Sequence, residues 1–265
     1  MRLVALSSGS EGNCIYVGTD NTHLLIDAGI ALKNIKANIN EIGIDLGDLN
    51  GLLVTHEHGD HGASVGSMSR KCGVPLYATA GTFTGLEKKG MGNVSKSELH
   101  TVKYWESFLI GDITVTPIRV FHDTLEPCAY VFESGGKKVA ICTDLGTYDD
   151  KIVNALQKLD ILYVEANHEV NMLLANPNYP YPLKQRILSN NGHLSNDTSG
   201  KLISSVLHDD IKSIMLAHLS KDNNVPDIAY NTVRNEIEFA DNKYGGSDFP
   251  IYIANRYGLS RELTC

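Results

Sequence analysis

Leu52-Leu53-Val54-Thr55-His56-Glu57-His58-Gly59-Asp60-His61-Gly62 is the stretch on which the reading of this chain turns. An apolar strand runs directly into three histidines and an aspartate within six positions. Side chains alternate along an extended segment, so His56 and His58 point to one side. Gly59 permits a tight turn, and Asp60 and His61 then open the next helix from a different angle. Two adjacent ligand sets result, one imidazole–imidazole and one carboxylate–imidazole. Both suit zinc, manganese or iron.

Two ions need more ligands than this loop supplies, and later strand ends offer them. The strand Ile113-Thr114-Val115-Thr116-Pro117-Ile118-Arg119-Val120-Phe121 delivers His122, with Asp123 after it. Asp144 follows the apolar strand 139–142, where one carboxylate can bridge two ions. His218 ends Ile214-Met215-Leu216-Ala217. Asp27 also ends a strand but has no histidine beside it, so it is expected to support the 56–61 loop by hydrogen bonding.

Outward from these residues the chain alternates short strands with amphipathic segments. Val- and Ile-rich runs bounded by Gly, Asp or Asn predict strands at 3–6, 14–17, 24–26, 52–54, 76–78, 108–110, 113–120, 128–132, 138–142, 161–164, 214–216 and 251–253. Helical periodicity marks 30–42, 63–72, 82–89, 149–159, 182–189, 198–207 and 228–239. The result is a layered α/β architecture with mixed sheets. An internal echo supports two related halves. Cys14-Ile15-Tyr16-Val17, a turn and Leu24-Leu25-Ile26-Asp27-Ala28-Gly29 are matched by Cys128-Ala129-Tyr130-Val131, a turn and Val139-Ala140-Ile141-Cys142-Thr143-Asp144-Leu145-Gly146. Each is a hairpin whose second strand leads into Asp-x-Gly, so both aspartates are expected at one seam between two facing sheets.

Composition sets the boundaries. With 265 residues, 42% hydrophobic, and no linker or low-complexity tract, one domain spanning 1–265 is expected. A net charge of −8 disfavours a protein that binds nucleic acid over its whole surface. Five cysteines form no CxxC pair and read as reduced thiols. The first residues are too briefly apolar for a signal peptide, and no apolar run is long enough to cross a membrane. A cytoplasmic location without membrane attachment follows as the expectation.

The His-x-His-x-Asp-His loop, a lone His after the next long strand, an Asp-x-Gly and a late His, in that order, resemble the metallo-β-lactamase-fold hydrolases. The resemblance runs from Ser7-Ser8-Gly9-Ser10 to His218. Ser8-Gly9-Ser10-Glu11-Gly12-Asn13, Glu165-Ala166-Asn167-His168, Gly192-His193-Leu194-Ser195-Asn196 and His218-Leu219-Ser220-Lys221-Asp222-Asn223-Asn224 are similar to the YycJ/WalJ-type proteins, on the phosphodiesterase and nuclease side of that superfamily. The resemblance implies an αβ/βα four-layer sandwich, two mixed β-sheets flanked by helices, with two divalent metals in the groove between them. Carried over, one metal site holds His56, His58 and His122. The other holds Asp60, His61 and His218, and Asp144 lies between them. His193 stands where nuclease relatives carry a histidine that touches the scissile phosphate. Zinc or manganese is the expected pair, with iron as a further fit.

The function implied is a dinuclear-metal phosphodiesterase or nuclease, with a 5′–3′ exonuclease on DNA as its sharpest form. A metal-bridging hydroxide would attack, oriented by Asp60 and Asp144, while His193 contacts the phosphate or protonates the leaving group. Candidate substrate contacts are Lys184, Arg186, Ser195 and Asn223, with Lys221 after His218. His168 follows the apolar run 161–164 and is placed either at the groove edge or at a helix start. The alternative is a hydrolase of carboxylic derivatives, of the glyoxalase II or β-lactamase kind, on the same site. Against it stand the missing signal peptide and the short stretch after His218. Closed structural zinc sites favour four Cys/His ligands, so a carboxylate-containing paired site argues against metals held only as cement. His23, His100 and His208 are expected to be surface residues.

Overall fold

A computed structural model describes residues 1–265. Strands β1 (Arg2–Ser7), β2 (Cys14–Gly18), β3 (His23–Ile26), β4 (Gly51–Leu53), β5 (Leu76–Ala78) and β6 (Leu99–Thr101) build one sheet. Strands β7 (Phe108–Ile110), β8 (Ile113–Arg119), β9 (Cys128–Ser134), β10 (Lys137–Cys142), β11 (Ile161–Glu165), β12 (Ser213–Ala217) and β13 (Ile251–Ile253) build a second. The last strand, β14 (Leu263–Thr264), returns to the first sheet and pairs with β1, so each sheet has seven strands and mixes parallel with antiparallel pairs. Helices α1 (Leu32–Glu41), α2 (Gly59–Gly62), α3 (Val65–Cys72) and α4 (Ala80–Lys88) belong to the first half. Helices α5 (Asp150–Ala155), α6 (Val170–Ala175), α7 (Tyr181–Leu188), α8 (Asn196–Val206) and α9 (Pro226–Phe239) belong to the second.

Four layers require three interfaces, and the buried apolar side chains fall into three clusters. Alternation along β1 sends Leu3 and Ala5 inward, against Tyr130, Phe132, Tyr163 and Met215 of the facing sheet. Val4 and Leu6, pointing the other way, join Ile35 and Ile39 of α1, Met68 of α3 and Leu86 of α4. On the far side, Ala140, Leu162 and Val164 pack against Ile152 of α5, Leu202 and Val206 of α8, and Val233 of α9. Central strands buried on both faces explain why they read as continuous apolar runs rather than alternating ones.

The predicted strands all form, with ends moved by one or two residues. Strands β6 and β14 went unpredicted, being two or three residues long and partly exposed. The helix expected over 149–159 stops at Ala155, and Lys158 turns left-handed at φ 59°. The helix expected from 63 begins at Val65, because Ser64 leaves helical geometry between α2 and α3. Helix α6 was missed. The hairpin echo is real: β2–β3 and β9–β10 are both antiparallel pairs.

Each Asp-x-Gly does two things. The aspartate aims at the seam, and the glycine lets a loop of that seam lie on the backbone. A Cβ at Gly29 would stand 1.7 Å from Asp60 O, and one at Gly146 would stand 2.4 Å from Gly192 N. Gly29→Ala must therefore push the Asp60–His61 turn outward. Overpacking of this kind costs about 1–3 kcal/mol, and each kcal/mol lowers Tm by roughly 2–4 °C at this size. The expected result is a Tm several degrees lower together with reduced metal retention. An unchanged Tm and metal content would show that the turn is free to move.

Candidate metal centre

Strands β10, β11 and β12 are mutually parallel, and β8 runs the same way through two antiparallel steps, so their C-terminal ends share one edge. That edge carries His122 after β8, Asp144 after β10, Glu165 at the end of β11 and His218 after β12. Strands β3 and β4, also parallel, bring Asp27 and the 56–61 loop to it from the other sheet. Asp27, Asp144 and His218 all take left-handed backbone, at φ 61°, 59° and 54°. L-residues with side chains seldom adopt it, and such outliers cluster at functional sites. Here it turns each side chain back into the seam just as the strand ends.

Hydrogen bonds fix which nitrogen each ring presents. Thr55 Oγ1 donates to Asp27 Oδ2 (2.8 Å), which leaves it to accept from His56 Nδ1 (3.0 Å). His61 Nδ1 donates to Asp27 Oδ2 (2.7 Å), His122 Nδ1 to the Gly192 carbonyl (3.0 Å) and His218 Nδ1 to Glu165 Oε2 (2.8 Å). All four rings are thereby anchored through Nδ1 and offer Nε2, the arrangement by which metal-ligating histidines are usually oriented. His58 presents Nδ1 instead, 3.1 Å from His56 Nε2 and 3.2 Å from His122 Nε2. Asp27 thus supports the histidine loop as its lone strand-end position suggested.

The spacing of these atoms tests whether metal ions fit. Four ligands at about 2.1 Å in a tetrahedron stand about 3.4 Å apart. His61 Nε2 lies 3.4 Å from Asp60 Oδ2 and 3.3 Å from Asp144 Oδ2, and His218 Nε2 lies 3.6 Å from Asp60 Oδ2. The other oxygen of Asp144 is 4.0 Å from His122 Nε2, on the side of the three-histidine set. Asp144 Oδ2 and His218 Nε2 are buried and have no hydrogen-bond partner in the protein. Buried polar atoms are seldom left so. Together these groups fit a dinuclear metal site. Asn13 Nδ2 also reaches His61 Nε2, at 3.1 Å.

Electrostatics divides the same residues into two groups. Burial and neighbouring imidazoles push His56 well below its usual pKa and His58 down to about 4. Burial lowers His122 as well. These three are neutral at pH 7, as metal ligation requires. Burial also opposes charge on His61 and His218, but surrounding carboxylates, Asp144 foremost, outweigh it. His61 rises well above its usual range and His218 to about 10. Asp60 and Asp144, facing those imidazoles, are held below the usual carboxylate range despite burial.

Glu165 joins the site as a residue that the sequence motifs do not single out. It is fully buried, accepts from His193 Nδ1 (2.9 Å) as well as His218, and takes the Leu194 amide at 2.7 Å and the Asp144 amide at 3.2 Å. Four donors occupy its two oxygens, so it acts here as the acceptor that positions both histidines. His193 is consequently not a solvated loop residue. It is 19% exposed, and its backbone amide donates to the Ile187 carbonyl (3.0 Å). A cleft of about 320 Å³ is lined by Ser10, His58, Gly59, Asp60, Asp144, Arg186, His193 and His218.

Among Lys184, Arg186, Ser195, Lys221 and Asn223, only Arg186 lines this cleft. Lys184 donates to the Leu174 carbonyl and ties α7 to α6. Ser195 caps α8 by accepting from the Thr198 amide, and Asn223 is buried, accepting from Asn176. Lys221 pairs with Glu11 at 3.2 Å. His168 is buried, bridges to Ser195 through its backbone and has no partner on either ring nitrogen. His100 stacks on Tyr77, His23 meets the Tyr16 hydroxyl at 2.8 Å, and His208 meets the Leu159 carbonyl at 2.8 Å.

A four-layer αβ/βα sandwich with a paired His/Asp site on the seam of its sheets defines a class, and comparison with known proteins agrees. The chain belongs to the β-lactamase superfamily, whose domain, described as "Beta-lactamase superfamily domain", matches residues 22–218. It is 37% identical over 233 residues to exodeoxyribonuclease YycJ of Bacillus anthracis, covering 88% of each chain. To exodeoxyribonuclease WalJ of Streptococcus pneumoniae serotype 2 it is 38% identical over 248 residues, covering 93% of this chain and 91% of that one. Among solved structures, the metallo-β-lactamase fold protein YhfI from Bacillus subtilis matches with a TM-score of 0.69 at 17% identity, over 98% of this chain and 100% of that one, a likeness of fold. The resemblance read from the motifs is thereby borne out. No helix is long and apolar enough to cross a membrane.

Proposed function

We propose that this protein is a metal-dependent phosphodiesterase acting as a DNA exonuclease. The observation that carries the proposal is the position of Asp144, with Oδ2 3.3 Å from His61 Nε2 in one set and Oδ1 4.0 Å from His122 Nε2 of the three-histidine set, and with His193 held beside them by Glu165. In this reading His56, His58 and His122 hold one ion, Asp60, His61 and His218 hold the other, and Asp144 serves both. Zinc or manganese is the proposed pair, residues 1–265 form a single domain, and the protein works in the cytoplasm. When bound, such a pair polarises a phosphoryl oxygen and lowers the pKa of a bound water from 15.7 towards ~7.

The chain's own groups then have defined tasks. Asp60 and Asp144 orient the attacking water between the two sets. Glu165 keeps the His193 Nδ1–H engaged, so Nε2 is the nitrogen available to touch the phosphate or pass a proton to the leaving oxygen. The names of the relatives support DNA as the substrate.

Protein purified without chelator is expected to hold close to two metal equivalents by elemental analysis. Reconstituted separately with zinc, manganese and iron, it should hydrolyse bis(p-nitrophenyl) phosphate and shorten linear DNA from an end, while leaving a thioester and a β-lactam intact. Active protein with a stable single equivalent would sink the dinuclear proposal. Cleavage of the thioester or lactam but not the phosphodiester would overturn the assigned chemistry.

A further inference from the structure

We propose that Arg186 grips the substrate phosphate beside the scissile bond, and that Asp123 occupies that grip until the substrate arrives. This rests on the phosphodiesterase reading above and names the residues by which the site selects an anion. Arg186 carries the only guanidinium or ammonium group lining the cleft. Its helix, α7, has no buried side chain, so packing does little to fix its place. Polar contacts hold it instead: Lys184 to the Leu174 carbonyl, the His193 amide to the Ile187 carbonyl, and an ion pair from Arg186 Nε to Asp123 Oδ2. The other oxygen of Asp123 stands 3.5 Å from His122 Nε2 and 3.8 Å from His58 Nε2. One carboxylate therefore spans from the three-histidine set to the guanidinium.

A phosphodiester presents the same outline, with one anionic oxygen for the metal side and one for the arginine. Guanidinium accepts carboxylate and phosphate in the same forked geometry. The Asp123 and Arg186 side chains are 30% and 53% exposed, and an ion pair this open to water is weakly held. A phosphate that gains the metal side as well displaces it. Asp123 thus acts as an internal competitor. It occupies the Arg186 guanidinium and yields to a ligand that engages both ends.

The test uses the metal-loaded protein and inorganic phosphate as probe, followed by isothermal titration calorimetry, with metal content and Tm checked for each variant. Arg186→Gln is expected to weaken phosphate binding about tenfold or more, the worth of a charge-assisted hydrogen bond, and to raise KM on bis(p-nitrophenyl) phosphate more than it lowers kcat. Asp123→Asn should tighten phosphate binding several-fold with both metals retained. The double variant should bind phosphate as weakly as Arg186→Gln. Unchanged affinity in Arg186→Gln overturns the proposal, as does a loss of affinity in Asp123→Asn, which would make the carboxylate a positioning group. Loss of a metal equivalent in Asp123→Asn would make it a ligand and also overturn it. If the wild type binds phosphate through Arg186 yet cleaves no phosphodiester, the assigned reaction fails and this inference stands. Normal cleavage and binding in Arg186→Gln would give the reverse.

Discussion

Asp144→Ala is expected to empty both metal positions and abolish phosphodiester cleavage, a larger effect than loss of any single histidine. The carboxylate lies between the two sets, with Oδ2 3.3 Å from His61 Nε2 and Oδ1 4.0 Å from His122 Nε2. In the proposed assignment, its removal would take a ligand from each ion at once. It also leaves His61 and His218 without the negative charge that most strongly favours a cation there. Groups that only orient a metal ligand cost about 10–100-fold in affinity when lost, so a ligand shared by two ions should cost at least the upper end of that range. Titration against a chelator, with elemental analysis after dialysis, reads the loss directly. Asp144→Asn is the necessary companion, because asparagine keeps the shape and tolerates left-handed backbone where alanine does not. If both variants keep two equivalents and full activity, Asp144 is not the bridge.

His193→Ala should separate binding from chemistry. The ring lines the cleft, lies 3.6 Å from Asp144 Oδ1 and is turned by Glu165 so that Nδ1 is engaged. Asp144, Glu165, His193 and His218 stand close enough to hold an ion as a group. The two histidines, however, turn their Nδ1 atoms to Glu165 as donors, so those atoms are not free for an ion within this group, while His218 keeps Nε2 for the set with Asp60 and His61. A group that acts in the transition state lowers kcat more than it raises KM when removed, and a positioned acid or base is worth about 10²–10⁴-fold. The variant should keep two metal equivalents and lose turnover on that scale. Loss of one equivalent would make His193 a ligand, and near-normal turnover would leave it without a catalytic task.

Much of this site was legible because its residues sit where an apolar strand stops. His56, His58, His122, Asp144 and His218 each follow a run of Val, Ile or Leu, and parallel neighbours bring such ends to one edge whatever lies between them. Asp27 was legible for the same reason, helped by its echo in Asp144. Glu165 also ends a strand, yet its task depends on His193 and His218, which come 28 and 53 positions later. No local pattern encodes an acceptor shared by two distant rings. Ser195 and Asn223 drew notice through the motifs that contain them, whereas the fold uses them to cap a helix and tie a loop. Arg186 and Lys184 lie two positions apart on α7. Which of them reaches the cleft depends on where that helix settles, and its sequence, lacking a buried stripe, does not say.

The left-handed backbone at Asp27, Asp144 and His218 has a consequence for how such a protein can change over generations. Residues held in that region cost of order 1–3 kcal/mol each, so three together weigh heavily against the roughly 5–15 kcal/mol by which folded domains persist. Glycine would relieve the conformation at any of the three. Selection for heat resistance without a screen for activity would therefore be drawn to these positions early, and each success would improve the fold while erasing the site. Tolerance to other mutations must be found elsewhere, in the three apolar interfaces between the layers, because at this edge stability and activity oppose one another.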